Sequence, residues 1–187
     1  AGTLDPLASG LLIICVGKFT KKIPTFQDHP KTYTGTISIG KTTPSYDLET
    51  EFDKSFETAH INIEELQNKT AQFIGKIEQV PPLFSALKKD GKRLYEYARE
   101  GQETEIKARK IEIHSFNIDS AKFITKKEID FEVVCSKGTY IRSLAHDYGK
   151  ALGSGAHLSA LRRTKIGEHD VTYALTPEEV KKSLCVN

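Results

Sequence analysis

Residues 35–42 read Gly-Thr-Ile-Ser-Ile-Gly-Lys-Thr, and how they fold decides the class of the whole chain. The letters satisfy the phosphate-binding pattern GxxxxGK[ST]. A phosphate loop needs a strand before its first glycine, a compact loop, and a helix that starts at the Lys-Thr step and points its free N–H groups at the anion. Here the four middle residues are Thr-Ile-Ser-Ile. With Tyr33-Thr34 they form a β-branched, alternating run that reads as a strand over Tyr33–Ile39. Thr43 and Pro44 follow, then apolar residues at even spacing, Tyr46, Leu48 and Phe52, which suggest a second extended segment. No later apolar strand ends in an Asp placed to hold magnesium. The run is a sheet strand, and the pattern argues against a nucleotide hydrolase. Gly153-Ser154-Gly155 is a helix stop and turn.

The remaining sequence mixes strands and helices without strict βαβ alternation, which points to an α+β, or mixed α/β, domain. Leu11–Val16 reads as a buried strand ended by Gly17, and Lys18–Phe26 as a short helix before Asp28-His29-Pro30. Asn62 and Glu65 make a capping pair for a helix over Ile63–Ile74, stopped by Gly75. Pro81-Pro82 forbids regular structure, and a helix over Lys92–Glu100 ends at Gly101. Ile106–Ile118 and Ile129–Cys135 read as strands. Ile141, Leu144, Ala145, Tyr148 and Leu152 recur at helical spacing over Tyr140–Leu152. Thr176-Pro177-Glu178-Glu179 opens a last helix reaching Leu184.

At 187 residues, without repeats or a linker, the chain fits one domain. Its longest apolar run, Leu11 to Val16, is too short to cross a bilayer. No basic-then-apolar leader is present, and the first residue is not Met, so a cytoplasmic protein lacking its natural N-terminus is expected. Cys15, Cys135 and Cys185 lie far apart with no CxxC pair, which argues for a reducing compartment and against disulfides or zinc. The six histidines show neither HxH nor HxxxH spacing, so no histidine-built metal site is expected. The net charge of +2 says little, but its distribution says more. Residues 41–70 carry three basic and seven acidic side chains, and residues 76–110 carry nine and six. Lys88-Lys89-Asp90-Gly91-Lys92-Arg93 and Arg162-Arg163-Thr164-Lys165 are basic clusters beside glycine, of the kind a phosphate backbone needs, although a lone lysine cluster is more often a solvated face.

Taken singly, the chemically able residues are ordinary. Asp5-Pro6 is a turn or helix cap. Arg142 on an amphipathic helix is a solvated or surface-paired arginine. Tyr33 opening a strand is packing, and Tyr140 at a helix start is a half-buried core edge. Their joint occurrence inside four ordered stretches changes this. Gly2-Thr3-Leu4-Asp5-Pro6-Leu7-Ala8-Ser9-Gly10 comes first. Lys31-Thr32-Tyr33 then precedes the strand ending at Gly40, followed by Thr42-Thr43 and Asp47. Gln79-Val80-Pro81-Pro82-Leu83-Phe84-Ser85-Ala86-Leu87-Lys88 runs into Gly91 and Leu94-Tyr95-Glu96-Tyr97-Ala98-Arg99-Glu100-Gly101. Cys135-Ser136-Lys137-Gly138-Thr139-Tyr140-Ile141-Arg142-Ser143-Leu144 leads to Leu161-Arg162-Arg163-Thr164 and Gly167. Over nearly its whole length the sequence resembles the tRNA pseudouridine synthase B family.

The resemblance implies a pseudouridine synthase fold: a central mixed, mostly antiparallel sheet flanked by helices, one catalytic domain over 1–187 with an RNA-gripping insertion at about 76–105. It implies an isomerase acting on the uridine at position 55 in the T loop of tRNA, needing no cofactor or metal, with no membrane and no protein partner implied, and working as a monomer. Asp5 matches the family's catalytic aspartate and Arg142 the arginine that pairs with it, so the two are expected to meet in space. Tyr33 matches the active-site tyrosine, and Tyr140 lines the same pocket. Lys88, Lys89, Lys92 and Arg93 are candidate phosphate contacts, with Arg162 and Arg163 beside them. The sequence departs from the family in lacking the Gly-His pair and strand before the first stretch, in carrying Phe84 where Tyr is common, and in showing no counterpart of the extra C-terminal RNA-binding module. Two other readings fit the residues: a tRNA-holding protein without catalysis, and the catalytic subunit of a particle that chooses its uridine through a guide RNA.

Overall fold

The computed structural model describes residues 1–102 and 104–184; Cys185, one of the three cysteines noted above, lies outside them. The strands are β1 (Ser9–Gly10), β2 (Lys31–Ile39), β3 (Lys41–Thr42), β4 (Lys54–Ser55), β5 (Gly75–Gln79), β6 (Lys88–Lys89), β7 (Lys92–Arg93), β8 (Arg109–Asp119), β9 (Glu128–Cys135), β10 (Ala156–Ile166) and β11 (His169–Asp170). The α-helices are α1 (Ile23–Asp28), α2 (Ile63–Thr70), α3 (Leu94–Arg99), α4 (Phe123–Lys126), α5 (Ile141–Ala151) and α6 (Pro177–Leu184). One sheet runs β1-β10-β2-β9-β8-β5, with β11 also paired to β10. Among the strands named here, β1 pairs with β10 in parallel and the other pairings in this sheet are antiparallel. The fold is of the α+β class expected from the order of elements, with the mixed, mostly antiparallel sheet that the resemblance implies.

The run at 35–42 is a strand and not a phosphate loop. β2 continues to Ile39, Gly40 turns at φ +100°, and β3 follows with no helix. Gly35 stands in the middle of β2 because there is no room for a side chain: a Cβ there would meet the Ala160 carbonyl and the Phe131 ring. Alternation sorts the sheet's faces. Ile129, Phe131, Val133 and Cys135 of β9 are buried, as are Ile37 and Ile39 of β2 and Ile111, Ile113 and Phe116 of β8. The same apolar cluster takes in Leu66 of α2 and Leu144, Ala145 and Tyr148 of α5. Phe116 and Tyr148 meet edge to face at 5.5 Å, and the Tyr148 hydroxyl donates to the Leu66 carbonyl at 2.7 Å. This core fixes α5, whose first turn carries Arg142.

Both capping signals hold. Asn62 Oδ1 accepts from Glu65 N–H at 2.8 Å, and Thr176 and Glu179 bond reciprocally. Other elements depart from the sequence reading. The strand expected over Leu11–Val16 pairs only at Ser9–Gly10, after which Leu11 N–H still reaches the Arg163 carbonyl at 2.8 Å. From Lys165 onward β11 occupies that edge of β10, so the apolar run has no ladder to join, and Leu12, Ile14 and Val16 are exposed. The expected helix over Lys18–Phe26 is a 3-10 turn, Gly17–Lys22, and then α1, restarted with Pro24 in its first turn, where a missing N–H costs nothing. Residues 46–52 do not extend, because Ser45 bonds both Asp47 and Thr50 and closes a turn. The helix read over Lys92–Glu100 opens as β7, which forms a hairpin with β6 through Asp90 and Gly91, both at positive φ. β5 belongs to the main sheet, so the segment standing apart from it begins after Gln79. β5 and β10 were not expected as strands.

Candidate active site

The Asp-Pro step near the start is indeed a turn: Ala8 N–H donates to the Asp5 carbonyl at 2.9 Å. The turn leaves the Asp5 carboxyl group facing Arg142. Arg142 Nε donates to Asp5 Oδ2 at 2.9 Å and Nη2 to Oδ1 at 2.7 Å, two parallel bonds of a fork. Arg142 is itself 3% exposed, and its Nη1 donates to the Ser45 carbonyl at 3.2 Å. Behind it lies a second acid that the sequence reading named only as part of a stretch. Asp47 Oδ2 is 3.7 Å from Arg142 Nε, while Asp47 Oδ1 accepts from Ser45 Oγ at 2.6 Å and Glu49 N–H at 3.0 Å. One guanidinium thus stands between a carboxylate closed off from water (5% exposed) and one open to a cavity (31%).

That cavity, about 620 Å³, is lined by all four residues expected to be catalytic: Asp5, Tyr33, Tyr140 and Arg142. Tyr33 comes from β2, opposite Arg163 of β10. Burial pushes its phenol above the ordinary value, opposed by the neighbouring Arg163 guanidinium, so it holds its proton at neutral pH. Tyr140 caps α5, and burial raises its phenol too. Its backbone is held on both sides by the buried Gln79, which donates to the Tyr140 carbonyl at 3.0 Å and accepts its N–H at 2.8 Å. Gln79 opens the Gln-Val-Pro-Pro stretch, and Ser143 Oγ donates to the Val80 carbonyl at 2.8 Å. The third stretch is therefore fastened to the fourth at the cavity wall.

Arg163 corrects the sequence reading. Expected among the phosphate contacts, it is 1% exposed, and its guanidinium donates to the carbonyls of Leu11, Gly2 and Thr3 at 2.8, 3.0 and 3.5 Å. It has no open face for a nucleic-acid backbone and serves to pin the segment that carries Asp5. Gly10, at φ +110°, lies so close to the Arg163 backbone that a Cβ would not fit. Arg162 is exposed and touches Ser9 Oγ at 3.3 Å. In the β6–β7 hairpin, Lys88 and Arg93 are exposed. Lys89 bonds Thr104 Oγ1 and the Glu105 carbonyl, and Lys92 pairs with Glu100 over the Tyr97 ring. Arg109, Lys110 and Lys137 also border the cavity, and the sequence reading had not singled them out. Among the described residues no group of three or more His, Cys, Asp or Glu could hold a metal ion.

His146 follows Arg142 by one turn of α5. It is held neutral, its pKa lowered to about 4 from 6.5, chiefly by burial and secondarily by Lys150, with Asp53 opposing and Lys54 reinforcing; Asp147 is the neighbouring acid beside Tyr46. The unfolded chain takes up this proton below about pH 6.5 and the folded chain only near 4. The unfolded state binds more protons in that window, so stability falls as pH drops through it. Melting temperatures from pH 7.5 to 4.5 should show a shallower acid loss for His146→Phe than for the unaltered chain; equal slopes would contradict the assignment.

The described residues contain no helix long and apolar enough to cross a membrane. The family model for the TruB family pseudouridylate synthase N-terminal domain matches residues 1–141, and that for the tRNA pseudouridylate synthase B C-terminal domain matches residues 142–187. The boundary falls inside α5, and β10 from the second half lies between β1 and β2 in one sheet. The chain is 60% identical over 184 residues to tRNA pseudouridine synthase B of Flavobacterium johnsoniae, covering 98% of this chain and 79% of that protein. It is 50% identical over 183 residues to tRNA pseudouridine synthase B of Bacteroides thetaiotaomicron, covering 97% and 76%. Among solved structures, a chain in the crystal structure of a Cbf5-Nop10-Gar1 complex superposes with a TM-score of 0.63 at 27% identity, over 90% of this chain and 40% of that one. By these matches the chain belongs to the TruB family of pseudouridylate synthases.

Proposed function

We propose that this protein isomerises uridine to pseudouridine in tRNA, at position 55 of the T loop, with Asp5 as the reacting carboxylate. The observation that carries the reading is the Asp5–Arg142 fork opening into a cavity shared with Tyr33 and Tyr140. The tRNA substrate is supported by the relatives, which carry that activity in their names. The reaction breaks the C1′–N1 bond, turns the uracil and forms a C1′–C5 bond; N1 ends with a proton and the C5 hydrogen leaves as one. Nothing is oxidised or reduced. Asp5 supplies the nucleophile or proton acceptor beside ribose and base. Arg142 holds that carboxylate in one plane. The protonated Tyr33 offers its ring for stacking and its hydroxyl as a donor. Tyr140 walls the sugar side.

A uridine in a folded loop must first leave its stack, at a cost of a few kcal/mol. The exposed Lys88, Arg93 and Arg162, with Arg109, Lys110 and Lys137 at the rim, offset that cost by gripping phosphates, and the segment after Gln79 acts as the RNA-gripping element. The reading includes a monomer working in the cytoplasm. RNA affinity should fall steeply with salt, and Lys88→Ala/Arg93→Ala should reduce the slope of log K against log salt by roughly one to two units; an unchanged slope would remove both residues from the interface. The substrate assignment is tested with T-arm stem-loops carrying tritium at C5 of a single uridine. Release is expected only when the label is at position 55. Release from another uridine alone, or from every uridine alike, would overturn it.

A further inference from the structure

Tyr46 and His146 lie outside the cavity, yet they sit where the supports of Arg142 meet. Tyr46 holds φ +65°, a left-handed backbone that an aromatic residue rarely adopts. It stands between Ser45, whose carbonyl accepts from Arg142 Nη1, and Asp47, whose carboxylate lies 3.7 Å from Arg142 Nε. The Tyr46 ring stacks on the His146 imidazole with centroids 3.8 Å apart and planes 10° apart. His146 follows Arg142 by four residues on α5, so both project from the same face of the helix. On its other side the turn is tied to β10, where Leu158 N–H donates to the Tyr46 carbonyl at 2.9 Å.

Among the described residues the buried Nδ1 of His146 has no hydrogen-bond partner, so none of them places the imidazole by bonding at that atom. Its evident contact is the stack. The bonds within the turn, Ser45 Oγ to Asp47 Oδ1 and Thr43 Oγ1 to the Asp47 carbonyl, orient Asp47 but leave the Tyr46 side chain untouched. If Tyr46 relaxed to negative φ, the peptides on both sides would rotate, carrying the Ser45 carbonyl and the Asp47 carboxylate off the guanidinium.

We propose that Tyr46 and His146 are positioning residues: their stack locks the left-handed turn that aims Ser45 and Asp47 at Arg142, and so fixes the plane in which Arg142 presents Asp5. This rests on the reading of Asp5 as the reacting carboxylate. The test uses Tyr46→Gly, His146→Ala, their double variant, and the ring-preserving Tyr46→Phe and His146→Phe. Glycine accepts positive φ without strain, so Tyr46→Gly deletes the ring without forbidding the turn. Single-turnover tritium release should fall about 10–100-fold for Tyr46→Gly and His146→Ala with RNA affinity held within about twofold, as expected when a reacting group is misplaced and binding is intact. The double variant should be no slower than either single one, and the Phe variants should recover most of the rate. Unchanged release by the folded Tyr46→Gly protein, or losses that multiply in the double variant, would overturn the proposal. The second readout needs no activity: the Arg142 Nε–H resonance should lose its hydrogen-bonded shift in Tyr46→Gly and keep it in Tyr46→Phe. An unaltered chain that releases no tritium sinks the reaction assignment, while the resonance still decides whether the stack positions Arg142.

Discussion

Arg142→Met should be the most destabilising single change at the site. The side chain fits the space, but the substitution leaves Asp47, 5% exposed on its side chain, with no cation within reach. Removing one partner of a buried ion pair costs about 3–5 kcal/mol, because the charge left behind is neither solvated nor paired. For a domain of this size that corresponds to a fall in melting temperature of about 6–20 °C. Adding Asp47→Asn should restore much of the loss, since the orphaned charge disappears with it, and the double-mutant cycle measures the coupling. Arg142→Lys keeps the charge but not the fork. It should retain more stability than Arg142→Met and still lower turnover by about 100-fold, because one ammonium cannot hold both Asp5 oxygens in a plane. An Arg142→Met protein that melts with the unaltered chain would show that the guanidinium carries no structural weight.

Much of the sheet could be read from periodicity. β2 and β9 alternate because each has one apolar face on the core, and α5 shows its helical period because Leu144, Ala145 and Tyr148 lie on one stripe. β10 was missed for a reason tied to the site. The strand is central, yet it buries His157 and Arg163 beside its apolar residues. His157 bonds the Lys41 carbonyl and Arg163 bonds three carbonyls of the segment holding Asp5. Those duties break the alternation that marks a strand. Leu11–Val16 shows the reverse error: its composition was right for a strand, but strand formation depends on a free neighbouring edge, which no local pattern reports.

The candidate site was legible only as a set. No local rule distinguishes Asp5 from an ordinary turn residue, and it is a turn residue in fact. Its meeting with Arg142, 137 positions away, follows from β1 joining β10 and from α5 packing against the sheet. Asp47 and Gln79 were visible as letters in matching stretches, but their work depends on tertiary contacts: one lies behind Arg142 and the other clasps the Tyr140 backbone. Arg163 was misjudged because a basic pair looks the same in sequence whether its members face solvent or core. Alternation along β10 sends Arg162 outward and Arg163 inward.

Asp5→Asn isolates the chemistry from the architecture. The amide keeps the shape of the carboxylate and leaves Arg142 paired with Asp47, so the protein should fold, melt close to the unaltered chain and bind RNA. It removes the one acid that faces the cavity from the Arg142 fork. Loss of a residue that acts directly in the reaction lowers turnover on the order of 10⁴-fold or more. The decisive measurement is single-turnover tritium release from a T-arm stem-loop labelled at C5 of uridine 55, with enzyme in excess and RNA binding followed in the same samples. The expected result is full release by the unaltered protein and none above background by Asp5→Asn at equal RNA occupancy. Equal release by both would contradict the assignment of Asp5 as the reacting carboxylate.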